Sequence, residues 1–150
     1  MLMDIILGFI IPWILGLYLI MKDLPFVFHV GSIGALISFV INDIGYFMNW
    51  WHLTPKDYGN LSFIPYNLGV FAVIAVLTVR IIQNGRKSWV VIPSATLIKT
   101  LLESVYVFSG KVVYLNGWNI GFTFVLYLFS CTLGYIIYKK TKSLSSRSRE

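Results

Sequence analysis

Five long apolar runs, at about 4–21, 26–50, 62–82, 89–109 and 118–138, leave this chain few ways to fold. Each approaches the ~20 residues needed to cross ~30 Å of hydrocarbon. A backbone in hydrocarbon must satisfy its hydrogen bonds within its own segment or in a closed barrel. Barrel strands would be about half as long and would alternate apolar with polar residues, which these runs do not. The chain has 12% charged and 57% hydrophobic residues, whereas a soluble domain carries about 25% charged residues. That is too little polar surface for a water-soluble globule. The expectation is an all-α membrane protein, a bundle of five transmembrane helices forming one domain over 1–138. A basic, flexible cytoplasmic tail is expected over 139–150.

The connections MKDLP, QNGRKS and GKVVYLNG are turn-sized, and WHLTPKDYGNLSFIP is longer. The opening MLMDIILGFIIPWILGLYLIMK has no basic stretch before its apolar core and no small-residue cleavage site after it. It reads as a retained first span rather than a removed leader. Lysine and arginine set the orientation. With the amino end outside, Lys22, Arg80, Arg86, Lys87, Lys139, Lys140, Lys142, Arg147 and Arg149 lie on the cytoplasmic side, while Lys56 and Lys111 lie outside. Nine against two predicts a cytoplasmic carboxyl end, with Trp50, Trp51 and Trp118 at the outer interface and Trp89 at the inner one. Pro93 is expected in the first turn of the fourth helix, where proline costs little.

The remaining basic residue, Lys99, lies within the fourth run, SATLIKTLLESVYVF, together with Glu103. At ~1.5 Å per residue from Trp89, Lys99 lies about 15 Å deep, near the midplane, and Glu103 lies about 21 Å deep. Asn42 and Asp43 near the end of the second run, with Asp4, Tyr46, Asn49, His52, Tyr106 and Asn119, fall into the same outer layer. Thr96, Lys99, Glu103, Tyr106 and Gly110 form one stripe on the fourth helix. Gly31, Gly34, Ser38, Asn42, Gly45 and Asn49 form another on the second, with Asp43 at its edge. Small and polar stripes are the usual contact surfaces between membrane helices. The second and fourth helices are therefore expected to face each other or a common cavity, with Asp43 and Glu103 looking inward. Lys99 and Glu103 are expected to touch at i, i+4, and Asn42 and Tyr106 to supply hydrogen bonds. The candidate polar cluster is Asn42, Asp43, Tyr46, Lys99, Glu103, Tyr106, Trp118 and Asn119, either a ligand or ion site or structural glue.

Other chemistries find little support. Cys131 is the single cysteine, so no intramolecular disulfide forms. His29 and His52 lack metal-ligand spacing, and no nucleotide-cradling glycine loop or zinc pattern appears. No cofactor and no metal are expected, and His29, Cys131 and Trp13 read as packing residues. The net charge of +6 sits largely in the tail, which points to anionic lipid headgroups rather than nucleic acid.

The segments NDIGYFMN, LLESVYVF and LNGWNIGF, in this order, resemble those of a family of small five-span membrane proteins from spore-forming Gram-positive bacteria. The resemblance covers roughly 38–140. It rests on Asp43 with Tyr46, on Glu103, and on the turn Gly117, Trp118, Asn119; Lys99 falls outside the pattern. It implies a five-span fold in a bacterial plasma membrane, and implies no reaction.

Three expectations for function follow. The first is a binding or complex-subunit role, in a homo-oligomer or with another membrane protein, built on a polar site in the outer half of the bilayer. The alternative is a small-solute or ion carrier or channel using the buried Asp, Glu and Lys groups. An enzyme using Asp43 and Glu103 as an acid–base pair is a third reading, without an accompanying nucleophile or metal signature.

Overall fold

The computed structural model describes residues 2–147. Five helices are long and apolar enough to cross a membrane: α1 (Leu2–Lys22), α2 (Leu24–Phe47), α3 (Lys56–Gln83), α4 (Ser88–Phe108) and α5 (Ile120–Arg147). Two short strands, β1 (Trp51–Leu53) and β2 (Val112–Tyr114), pair antiparallel, with Trp51 opposite Tyr114 and Leu53 opposite Val112. The ribbon links the α2–α3 and α4–α5 connections across one end of the bundle. Both connections read from sequence as loops without strands.

Several boundaries differ from expectation for local reasons. The Asp23 side chain accepts from the Phe26 amide, and Pro25 follows in the first turn, so α2 starts immediately after α1. In α4 the helix begins at Ser88, which places Pro93 inside it rather than in its first turn. Pro93 has no N–H to offer the Trp89 carbonyl. The fifth helix runs through Lys139, Lys140 and Lys142 to Arg147, where the sequence reading placed a tail. Neither glycine nor proline interrupts 135–147, and Lys, Leu and Arg are good helix formers. Arg149 lies outside the described residues.

Helix α1 carries a wide π turn at Ile6–Ile10, just ahead of Pro12, and α3 carries one at Asn67–Phe71, just after Pro65. These turns meet. A Cβ on Gly69 would lie 1.9 Å from the Gly8 carbonyl oxygen, so the two backbones are in direct contact there. Such an approach is open only to glycine. The Trp13 indole fastens the crossing by donating to the Leu68 carbonyl at 2.8 Å. At the opposite end from the ribbon, Arg80 pairs with Asp23 at 3.4 Å.

The exterior is apolar and several polar groups are buried. Phe108, Met21 and Phe47 are 91%, 86% and 83% exposed, whereas Asp4, Asn67 and Thr96 are 1%, 1% and 0% exposed. Large apolar side chains clothe the outside of the helices, and the inside mixes apolar side chains such as Val30, Val76 and Val79 with these buried polar ones. This arrangement suits a hydrocarbon solvent, because water would penalise so continuous an apolar exterior.

His52 is buried in β1, and its Nδ1 has no hydrogen-bond partner among the described residues. Burial, then the positive charge of Lys56, lowers its pKa below the ordinary value of 6.5. The unfolded chain therefore binds the proton more readily. Stability from this group is complete above about pH 6.5 and is lost as the pH falls from there toward the lowered folded value. Thermal melting at pH 7.5 and 5.5 should show a larger acid-induced drop in wild type than in His52→Gln. Equal drops would contradict the assignment.

Candidate functional site

Beneath the ribbon, α2 packs against α3 and α5, and α4 packs against α5 and α3. Helices α2 and α4 thus face a shared interior rather than each other's surface. The second of the two expected arrangements is the one observed. Two small chambers occupy this interior. One, with about 60 Å³ open to the centre of a water molecule, lies under the ribbon and is lined by Asn42, Tyr66, Lys99, Glu103, Tyr106 and Tyr127, among others. The second, of about 40 Å³, continues toward the far end past Ser38, Thr78, Ser130 and Tyr135. Asn42, Phe71, Lys99 and Tyr127 belong to the walls of both. A water needs roughly 10–15 Å³ on this measure, so both chambers are large enough to be wet.

Glu103 is half-buried. Its carboxylate accepts from the Tyr114 hydroxyl at 2.6 Å and from the Tyr127 hydroxyl. Tyr114 also bonds Thr123 at 2.8 Å, and the Trp118 indole donates to the same threonine at 2.9 Å. Burial, then the negative charge of Glu103, pushes the Tyr114 phenol well above its ordinary pKa. That keeps it protonated and donating.

Lys99 does not pair with Glu103. Among the described residues the direct ion pairs include Lys111–Asp4 and Arg80–Asp23, but not Lys99–Glu103. The tyrosines bond one carboxylate oxygen each, from the β2 and α5 sides, and Lys99 turns elsewhere. Its ammonium lies 4.9 Å from the centres of both the Phe71 and Tyr127 rings. The sulfur of Cys131, at 3.7 Å, is its hydrogen-bond partner. Two ring faces stabilise a cation, but a thiol is a weak acceptor for a group with three N–H donors.

Asn42 is buried and donates to the Asn67 side-chain oxygen at 2.6 Å, which also accepts from Ser38 at 2.6 Å. It does not serve Lys99 or Glu103, as the sequence reading expected. Tyr106 packs edge-on against Tyr66, with ring centres 5.5 Å apart. Tyr46 is half-buried against Phe63. Trp118 stacks on Trp50 at 4.7 Å. Asn119 is exposed and accepts from the Gly121 and Phe122 amides, capping α5. Asp43 departs furthest from expectation. It is exposed, bonds the Asn60 side chain, and lines neither chamber. One residue after the inward-facing Asn42, it is rotated ~100° away. Asp43 and Glu103 therefore do not form an acid–base pair.

A second buried polar group lies at the ribbon end. Asp4 accepts from Lys111 at 2.8 Å and from the Tyr66 hydroxyl at 3.0 Å. Lys111 also donates to the Thr54 carbonyl at 2.6 Å. This pair ties α1 to the ribbon. Among the described residues no three His, Cys, Asp or Glu side chains gather as metal ligands would.

Sequence reasoning missed Asn67, Tyr66, Tyr114, Thr123, Tyr127 and the Asp4–Lys111 pair. One signal was present: Thr123, Tyr127, Cys131 and Gly134 recur at helical spacing along the fifth run. Comparison of the chain with protein-family models, curated proteins and solved structures finds no match.

Proposed function

We propose that this is a multi-pass membrane protein, ribbon end outside and carboxyl end cytoplasmic, that binds a small polar ligand in the chamber between Lys99 and Glu103. It does so alone or as a subunit of a larger membrane assembly. The nine-to-two bias of Lys and Arg supports the orientation, and the clustered Trp50, Trp51 and Trp118 suit an interfacial aromatic belt. The observation that carries the binding reading is Lys99: a buried amino group on the wall of both chambers, whose hydrogen-bond acceptor among the described residues is the Cys131 thiol. Intramembrane ionisable groups are costly and commonly functional. The ligand that fits presents an acceptor, such as a small carboxylate, to Lys99.

The test is thermal melting of the purified protein with acetate, glycine or phosphate as probes, against chloride at matched ionic strength. A ligand at 100 times its Kd stabilises by about 2.7 kcal/mol. The expected result is a rise for at least one probe in wild type and none in Lys99→Met. Absence of any shift, or equal shifts in both proteins, would sink the reading.

A second reading, as a carrier for a small ion or solute, is favoured by the two chambers sharing Asn42, Phe71, Lys99 and Tyr127 in their walls. Flux in proteoliposomes that matched empty vesicles would remove it. Flux unchanged by Glu103→Gln would separate it from this site.

A further inference from the structure

At the end opposite the ribbon, α3 and α4 are joined by a turn of few residues and pack together, yet leave a groove between them. A cleft of about 640 Å³ runs between them, walled by Leu77, Ile81, Val90 and Ile98 and floored by Thr78 and Ala95. Thr78 and Ala95 are small and leave the gap unfilled. Arg86 and Lys87 stand at its mouth. Among the described residues neither has a carboxylate partner; Lys87 lies 5.9 Å over the Trp89 ring. No acidic residue occurs in the sequence between Asp57 and Glu103.

We propose that this cleft holds one anionic phospholipid, its phosphate on Arg86 and Lys87 and one acyl chain between α3 and α4. Three features select this occupant. The mouth is cationic and unneutralised. The walls are apolar and continuous with the exposed hydrophobic exterior of Ile81, Val90 and Ile98. The depth also matches. From Lys87 to Ile98 the helix rises about 16 Å at ~1.5 Å per residue, about half of the ~30 Å hydrocarbon thickness. The cleft is one leaflet deep, and an acyl chain anchored at the turn fills it to the midplane. The site is separate from Lys139, Lys140 and Lys142 near the end of α5, none of which lines the cleft. It is also separate from the ribbon-end chamber.

Native mass spectrometry of the full chain, with phosphatidylglycerol and phosphatidylcholine of identical acyl chains as probes, tests this. The expected result is one retained phosphatidylglycerol, preferred over phosphatidylcholine by roughly tenfold or more. Arg86→Gln with Lys87→Gln should abolish the preference. Ser94→Phe, at an exposed position on the cleft wall, should lower retention of both lipids by filling the slot. Lys139→Gln with Lys140→Gln and Lys142→Gln should leave the preference intact. Equal retention of the two lipids by wild type would overturn the proposal. So would a preference lost in the α5 variant but kept in the Arg86 and Lys87 variant, or retention unaffected by Ser94→Phe.

Discussion

Gly69→Leu is expected to abolish the folded bundle in detergent, with a loss beyond the ~1–3 kcal/mol typical of overpacking. The obstacle is backbone. A Cβ at this position would sit 1.9 Å from the Gly8 oxygen and 2.6 Å from the Phe9 Cα, and neither atom can rotate aside. Relief requires α1 to leave α3. That breaks the Trp13–Leu68 bond and pulls on the Asp4–Lys111 pair. Gly134→Ala is the matched control, because its Cβ meets only Ile37 at an ordinary 3.5 Å. Unfolding curves that place Gly69→Leu beside wild type would mean that α1 and α3 do not cross at these glycines.

Lys111→Met is the second large loss expected, on the order of 3 kcal/mol, the range for breaking a buried ion pair from one side. Asp4 is 1% exposed, so its carboxylate stays in a low-dielectric site with its Lys111 partner removed. Adding Asp4→Leu should recover part of the loss, since both charges are then gone. Recovery is incomplete because the Tyr66 hydroxyl loses its acceptor. A double-mutant cycle reads the coupling directly. A double variant less stable than Lys111→Met would contradict the pairing.

The helices were legible because length and hydropathy in lipid leave one backbone solution. The inward stripes were legible as well. Ser38, Asn42 and Gly45 on α2, and Thr96, Lys99, Glu103 and Tyr106 on α4, do face the interior, whereas Asn49 and Gly110, read into the same stripes, lie past the helix ends and are exposed. What helical periodicity does not carry is which inward groups meet across helices. Glu103 looked paired with Lys99 because they are neighbours along one helix. Its partners come instead from a strand and from α5. Asn67, the lone amide of its apolar run, gave no sign that Ser38 and Asn42 converge on it. Asp43 was misjudged because a single 100° step separates inward from outward, and Asn60, on a stretch read as loop, was there to receive it. The ribbon was illegible for a related reason: three-residue strands leave too short an alternation to register.

The central claim is that the ribbon and the far end of α5 lie on opposite sides of one membrane. In a Cys131→Ser background, single cysteines at Asn116, beside the ribbon, and at Lys142, on α5, can be labelled in intact cells with a membrane-impermeant maleimide. The account predicts that Asn116→Cys reacts at once and that Lys142→Cys reacts only after permeabilisation. Labelling of both in intact cells, or of Lys142→Cys alone, would contradict it.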